Sequence, residues 1–444
     1  MIMSGKYVNV ILAFMLCMVI PGHMAAQEDL LSTNRPIRNS REMILTVGQH
    51  KGDLQGNDDK IIQAGIEYLH RLGGGILQIL PGTYEMNNAL YLRPNITLRG
   101  SGEETVLRKT DGVVTTITRD MDWYEYAVRV GDVTGFTEGG GIMLRSRTDT
   151  FEWTLDVFRG TIQSIEGDVL FLDNMPYKNF WVEKDASAAT IFPILTADEH
   201  TDDVIIEDIV LDGNKVHNEY INGNFAGAVF IQNCNNWRFH NVTVRNYNGD
   251  GYSIQVCDDI HFENCKSLDN GGLGFHPGSG SQRPVFKNCT STGNDLGIYF
   301  CWGVSDGLAE HCILSGNQRY GISIGHRDTD NRITGCRIEN NGEAGIYFRE
   351  PGGIEKFRAG NRNTIIDCDI NNNGKPGSGT GIDIGWEIAD ISIKANRIGN
   401  TDGKDLQKTG IRISKDAKRI TLEENVFTNI PVEIEDQRPK RNVP

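Results

Sequence analysis

From residue 227 onward the chain repeats one hydrophobic pattern: a glycine, then a short strand with apolar residues at alternate positions. Counting from the residue that opens each strand, the units begin at Val229, Tyr252, Phe275, Ile298, Ile322, Ile346, Ile382 and Ile411. The steps are 23, 23, 23, 24, 24, 36 and 29 residues. Self-similarity at this period marks stacked supersecondary units, none of which can bury its apolar face alone. A second strand in each unit carries one cysteine (Cys265, Cys289, Cys312, Cys336, Cys368), and five residues later an asparagine (Asn270, Asn294, Asn317, Asn341, Asn373).

Stacked coils set equivalent residues one strand spacing apart, about 4.8 Å. Asparagines in such a column pass amide hydrogen bonds from coil to coil and tolerate left-handed bends. One cysteine per coil reads as a column of small buried residues, with disulfides between stacked neighbours left open. Parallel strands joined by crossovers are right-handed. The expected fold is therefore all-β: a right-handed parallel β-helix with an N-terminal capping helix and an inserted β-rich module.

The helix is read from Asn57-Asp58-Asp59, with Ile61, Ile62, Ile66, Leu69 and Leu72 on one side and Gly73 as its stop. It would cover the open end of the stack. Residues 111–200 break the repeat. Strand-like stretches at 141–146, 161–165 and 169–172, with Gly167-Asp168 as a hairpin turn, suggest the inserted module. Its Trp123, Tyr124, Tyr126 and Trp153 suit either a core of its own or one wall of a substrate groove. The expected organisation is a signal peptide at 1–26, cap and first coils at 27–110, module at 111–200, main coils at 201–436 and a tail at 437–444.

Lys6 followed by an apolar run over 8–20 and then Ala25-Ala26 has the form of a cleaved export signal, giving a secreted or periplasmic protein with no membrane span. A net charge of −15 with no basic cluster argues against nucleic acid. An anionic polysaccharide remains compatible, because local charge governs binding. A monomer is expected.

The acidic helix start, Gly73-Gly74-Gly75, Leu80-Pro81-Gly82-Thr83-Tyr84 and the later Ile96-Thr97-Leu98-Arg99-Gly100-Ser101-Gly102 resemble the N-terminal region of the pectate-lyase-like right-handed β-helix superfamily. The likeness covers residues 43–110 and 201–436. It implies a carbohydrate-active protein: polysaccharide lyases, glycoside hydrolases, uronate epimerases and phage tailspikes share this fold, so the site must decide. Lyases of the superfamily often use calcium. The cofactor is open, calcium being one possibility, and Asp258-Asp259 is the acidic pair that could bind it.

Strand alternation points one column outward: Phe230, Ser253, His276, Tyr299, Ser323, Tyr347, Asp383 and Arg412. Residues just past the strands add Arg283, Trp302, His326, Arg327, Asp328, Arg349, Glu350, Trp386 and Glu387. Aromatic faces stack on sugar rings and arginines hold carboxylates or sulfates. Arg283, Trp302, Arg327, Asp328, Tyr347, Trp386, Glu387 and Arg412 are the expected substrate contacts.

Three chemistries compete. β-Elimination on a uronate-containing or sulfated polysaccharide needs a base, an acid and a cation, supplied by His276, Tyr299, His326 and Arg349. Hydrolysis needs two carboxylates. Glu350 and Asp383 would be about 5 Å apart by strand spacing, and Asp328 and Asp383 about 10 Å. Epimerases of the superfamily carry an Asp-Pro-His-type motif; Gly274-Phe275-His276-Pro277-Gly278 lacks the aspartate and puts histidine before proline. Elimination leads and a glycoside hydrolase follows. A non-catalytic surface glycan-binding protein, using Trp302, Tyr347 and Trp386, is the alternative from another class.

Overall fold

A computed structural model describes residues 43–150, 154–351 and 359–439. The export signal and Trp153 lie outside the described residues. From Asp250 to Thr428 each coil carries three short strands, as in Phe275–Gly278, Val285–Lys287 and Thr290–Thr292. All pair in parallel with their counterparts in neighbouring coils. The fold is a right-handed parallel β-helix.

The register follows the glycine-led repeat residue for residue. Val229 pairs with Tyr252, Tyr252 with Phe275, Phe275 with Ile298, and so on through Ile322, Ile346, Ile382 and Ile411. The same ladder runs back through Leu195 to Leu90 and forward to Ile434. Every one of these residues before Ile434 is fully buried. Inside the stack, aromatic rings repeat at the coil spacing: Tyr252 on Phe275 at 4.8 Å and 4°, Phe262 on Phe286 at 5.2 Å and 5°.

Amides join the coils. Asn270 Nδ2 donates to Asn294 Oδ1 at 3.0 Å, Asn317 to Asn341 at 2.9 Å, and Asn341 to Asn373 at 2.9 Å. Gln407 closes the ladder below Asn373. The left-handed bend falls one residue earlier than expected, at Asp269, Gly293, Gly316, Asn340 and Asn372, which frees each ladder asparagine to turn inward. Cys265, Cys289, Cys312, Cys336 and Cys368 are all buried free thiols. The column is one of compact apolar fillers, without disulfides.

The helix Asp59–Arg71 is capped by the Asp58 side chain, which accepts from Ile61 N, and stops at Gly73, whose φ of 93° needs glycine. Ile62, Ile66 and Leu69 join the solenoid core, whereas Leu72 is exposed. The inserted module is a six-stranded antiparallel sheet between Val114–Thr116 and Ser187–Ala189. Gly167 supplies the positive φ of the two-residue turn between strands Leu155–Glu166 and Val169–Leu172. The strand Leu195–Ala197, within the span expected for the module, already pairs in the solenoid. Ile142, Leu144, Ile162, Leu170 and Phe180 fill a core separate from that of the coils. Trp123, Tyr124 and Tyr126 stand exposed on the module and outside the groove described next.

Candidate functional site

Along the glycine-led sheet runs a groove of about 1090 Å³, floored by His276, Tyr299 and Ser323 and flanked by Phe225, Tyr320 and Tyr347. The in-register column is as expected: Phe230, Ser253, His276, then Tyr299, Ser323, Tyr347, Asp383 and Arg412. Its upper half is nevertheless covered. Arg159 from the module lies 4.0 Å over the Phe230 ring, and the loop 220–225 folds over Ser253, whose hydroxyl donates to Gly223 O at 2.7 Å. The part of the column from His276 to Ser323 is thus the floor of a cleft, whereas Asp383 and Arg412 lie beyond it.

At its centre is a carboxylate that the sequence reading did not select. Asp250 Oδ2 lies 2.7 Å from His276 Nδ1, and both side chains are at least 97% buried. Asp250 Oδ1 accepts from Leu273 N at 2.8 Å. Two glycines admit the carboxylate: a Cβ on Gly223 would sit 1.6 Å from Oδ2, and one on Gly272 2.3 Å from Oδ1. Asp250 therefore fixes the ring and leaves Nε2, buried and without a hydrogen-bond partner, beside the groove. Burial opposes the imidazolium, but the Asp250 hydrogen bond and the nearby Cys301 sulfur outweigh it and raise His276 to about 10.

Tyr299 stands edge-on to His276, ring centroids 5.3 Å apart. Burial pushes its phenol up to about 12, against the pull of Arg349, whose guanidinium lies 4.0 Å over the ring. Arg349 reaches back two coils and is locked there. It donates to Phe300 O at 2.6 Å, Ser323 Oγ at 2.8 Å and Asp328 Oδ2 at 3.1 Å. Of the four residues expected to carry elimination, His276, Tyr299 and Arg349 come together in the groove. His326 does not: it lies in the turn past strand Tyr320–Ile324, its ring 4.7 Å from Trp302, outside the groove lining.

Several expected contacts are corrected. Asp328 is fully buried and accepts from the backbone N–H groups of Gly303, Val304 and Gly325 besides Arg349. It positions Arg349 and touches no solvent, and burial raises its carboxyl despite that partner. Asp383 is held bidentately by Arg412 at 3.0 and 2.5 Å, because the two face each other across adjacent strands. Glu350 is exposed outside the groove. Neither Glu350 with Asp383 nor Asp328 with Asp383 forms a carboxylate pair open to the groove. Glu387 pairs with Lys418. Arg327 and Trp386 occupy exposed left-handed turn positions away from the lining, as does Arg283, which clamps Asp258 and Asp259. Trp302 and Tyr347 do line the groove, the latter stacked on Tyr320 at 4.6 Å.

The calcium expectation meets the same clamp. Arg283 occupies the carboxylates of Asp258 and Asp259 that would ligate the ion. These two residues do not fit a calcium site.

The signal for Asp250 was present in the repeat. Its position on the strand is filled by Leu296, Tyr320, Ala344, Thr380 and Thr409 in other coils, so a lone carboxylate there stands out.

Fold and groove together define a protein of the right-handed parallel β-helix class. Residues 227–355 match the family model described as a right handed beta helix region. No curated protein matches the chain in sequence. Among solved structures, the A-module of the Azotobacter vinelandii mannuronan C-5 epimerase AlgE6 is similar at 16% identity and a TM-score of 0.55, covering 86% of this chain and 92% of that one. The A-module of AlgE4 from the same organism gives 16% and 0.55, covering 88% and 100%. The surface adhesin PfbA of Streptococcus pneumoniae gives 14% and 0.54, covering 88% and 93%. At these identities the likeness is one of fold. No helix among the described residues is long and apolar enough to cross a membrane.

Proposed function

We propose that this chain binds an acidic, uronate-containing polysaccharide along the groove and cleaves it by β-elimination, as a polysaccharide lyase. The observation that carries the reading is the buried Asp250–His276 dyad, whose unpartnered Nε2 borders the groove beside Tyr299. Abstraction of the proton next to a uronate carboxylate needs a base held in one orientation, and His276 in its neutral form is such a base. Tyr299, its phenol protonated across the working range, donates to the departing glycosidic oxygen. Arg349 holds positive potential under the phenol and so favours the negative charge that develops there. Tyr320, Tyr347 and Trp302 offer ring faces to neighbouring sugars. Export from the cell, read from the N-terminal segment, accords with a polymeric substrate.

Inversion at C-5 begins with the same proton abstraction, and the epimerase modules among the fold neighbours make it the second reading. The test is incubation with a panel of acidic glycans while following the ultraviolet absorbance of the unsaturated uronate. A rise marks elimination. New reducing ends without that chromophore establish hydrolysis and sink the proposal. Deuterium entering C-5 from heavy water, with the chain uncut, establishes epimerisation.

A further inference from the structure

Seven of the eight described cysteines belong to the solenoid core. Cys301 is the exception. It lines the groove at 8% exposure, placed there by the pairing of Cys301 with Gly278 and by its N–H donating to Pro277 O at 3.1 Å. Its sulfur acts on both groove-floor rings, favouring the charged His276 and disfavouring the phenolate of Tyr299. The second observation is geometric: His276 Nε2 is at least nine-tenths buried, no group other than the Cys301 sulfur is positioned to meet it, and it borders the same space. Thiol, imidazole and carboxylate thus follow one another as Cys301, His276 and Asp250, the order in which a thiol passes its proton to an oriented base.

We propose that Cys301 is a modification site: with His276 and Asp250 behind it, its thiol reacts with peroxides that enter the groove, and the oxidised sulfur closes the site. The thiolate is the reactive form. Its electron pair forms an S–O bond to one peroxide oxygen as the O–O bond breaks. The leaving hydroxide takes the proton held on His276 Nε2 and departs as water. Sulfur is oxidised by two electrons to the sulfenic acid and the peroxide is reduced. The added oxygen then stands between His276 and Tyr299, where a sugar would bind. Core thiols such as Cys265 and Cys312 are inert because neither reagent nor base reaches them.

The test uses the full folded chain and reads thiols rather than turnover, so it stands apart from the reaction proposed above. Native protein is treated with limiting iodoacetamide, or with hydrogen peroxide followed by a sulfenate trap, and the labelled cysteines are mapped by mass spectrometry. Cys301 should label at least about tenfold faster than any core cysteine and carry the trapped sulfenate, and His276→Gln should slow it by about tenfold or more. Cys301→Ser should remove the fast phase. A core cysteine reacting as fast, or an unchanged Cys301 rate in His276→Gln, overturns the assignment. Should His276→Gln fail to fold, the wild type decides: a Cys301 that oxidises no faster than free cysteine has no working relay.

Discussion

Asp250→Asn keeps the shape of the side chain that orients His276 and removes its charge. The carboxylate, with the Cys301 sulfur, holds the imidazolium at about 10 although burial opposes it, about 3.5 pH units above its ordinary 6.5. At ~1.36 kcal/mol per pH unit, that difference contributes at most about 5 kcal/mol to folding. Breaking a buried ion pair typically costs about 3–5 kcal/mol, and the loss in Asp250→Asn is expected in that range. Because the folded-state pKa lies above the unfolded one, this stability is fully present below pH 6.5 and is lost as pH rises through 10. With the charge gone, only the Cys301 sulfur still opposes burial, and His276 should fall back toward or below its ordinary 6.5. Unfolding entropy of roughly 2 cal/mol/K per residue over roughly 400 residues converts the loss at pH 6 into a fall in Tm of about 4–6 °C, shrinking toward zero above pH 10. Nitrogen-15 NMR of histidine-labelled protein reads the titration, and calorimetry at pH 6 and 10 reads the stability. Turnover should follow the neutral imidazole. In the wild type the logarithm of kcat/KM climbs with slope one toward pH 10, and in Asp250→Asn it is lower and levels off below neutrality. A wild-type His276 that titrates at its ordinary value, or an Asp250→Asn variant that keeps the raised one, would show that Asp250 does not hold the imidazolium.

Tyr299→Phe removes only the phenol oxygen, so it should cut kcat by about 10²–10⁴-fold while substrate affinity, measured by calorimetry, stays within about twofold. Asp383→Asn and Glu350→Gln should each retain turnover within about threefold, since one carboxylate is bound by Arg412 and the other lies outside the groove; a 100-fold loss in either would restore the hydrolytic pair. Asn317→Ala removes an amide that accepts from Asn294 N and donates to Ser291 O and Asn341 Oδ1. Stranding those buried groups should cost about 3 kcal/mol in urea titration, with hydrogen exchange rising in the coils on either side.

The coils were legible because each inward position repeats the same demand: an apolar side chain at a fixed offset from a glycine, every 23 or so residues. The same regularity gave the asparagine ladder, since an amide that bonds its own copy in the next coil must recur in step. It also gave the outward column, and with it His276, Tyr299 and Tyr347 in register. Side-chain reach was not legible. Arg349 spans two coils to lie on Tyr299, and Arg412 turns to Asp383, because an extended arginine crosses one or two strand spacings of about 4.8 Å. Periodicity fixes which column a residue occupies and says nothing of its rotamer. Asp250 was missed for a related reason. It opens its strand one residue before the glycine, and its role depends on Gly223, in a loop outside the repeat, leaving room for the carboxylate.

That pattern of pairing bears on the choice of chemistry. Four carboxylates on or beside the site-bearing face each have a cation of their own: Asp250 with His276, Asp295 with Arg319, Asp328 with Arg349, Asp383 with Arg412. Glu343, beside Tyr320, and Glu435, beside Arg412, are further acids at its edges. A hydrolase needs one carboxyl group protonated and another ionised across the scissile bond, which requires two acids in unlike surroundings. Here each of these four is matched to a cation, so none of them stands as a free acid or base beside the groove. Two of these pairs bury groups that can act on substrate only through their partners: Asp250 through a histidine that moves a proton, Asp328 through an arginine that supports a phenol. Under the lyase proposal, an anionic substrate would meet imidazole, phenol and guanidinium on this floor, the groups that chemistry beginning at a carbon beside its own carboxylate requires.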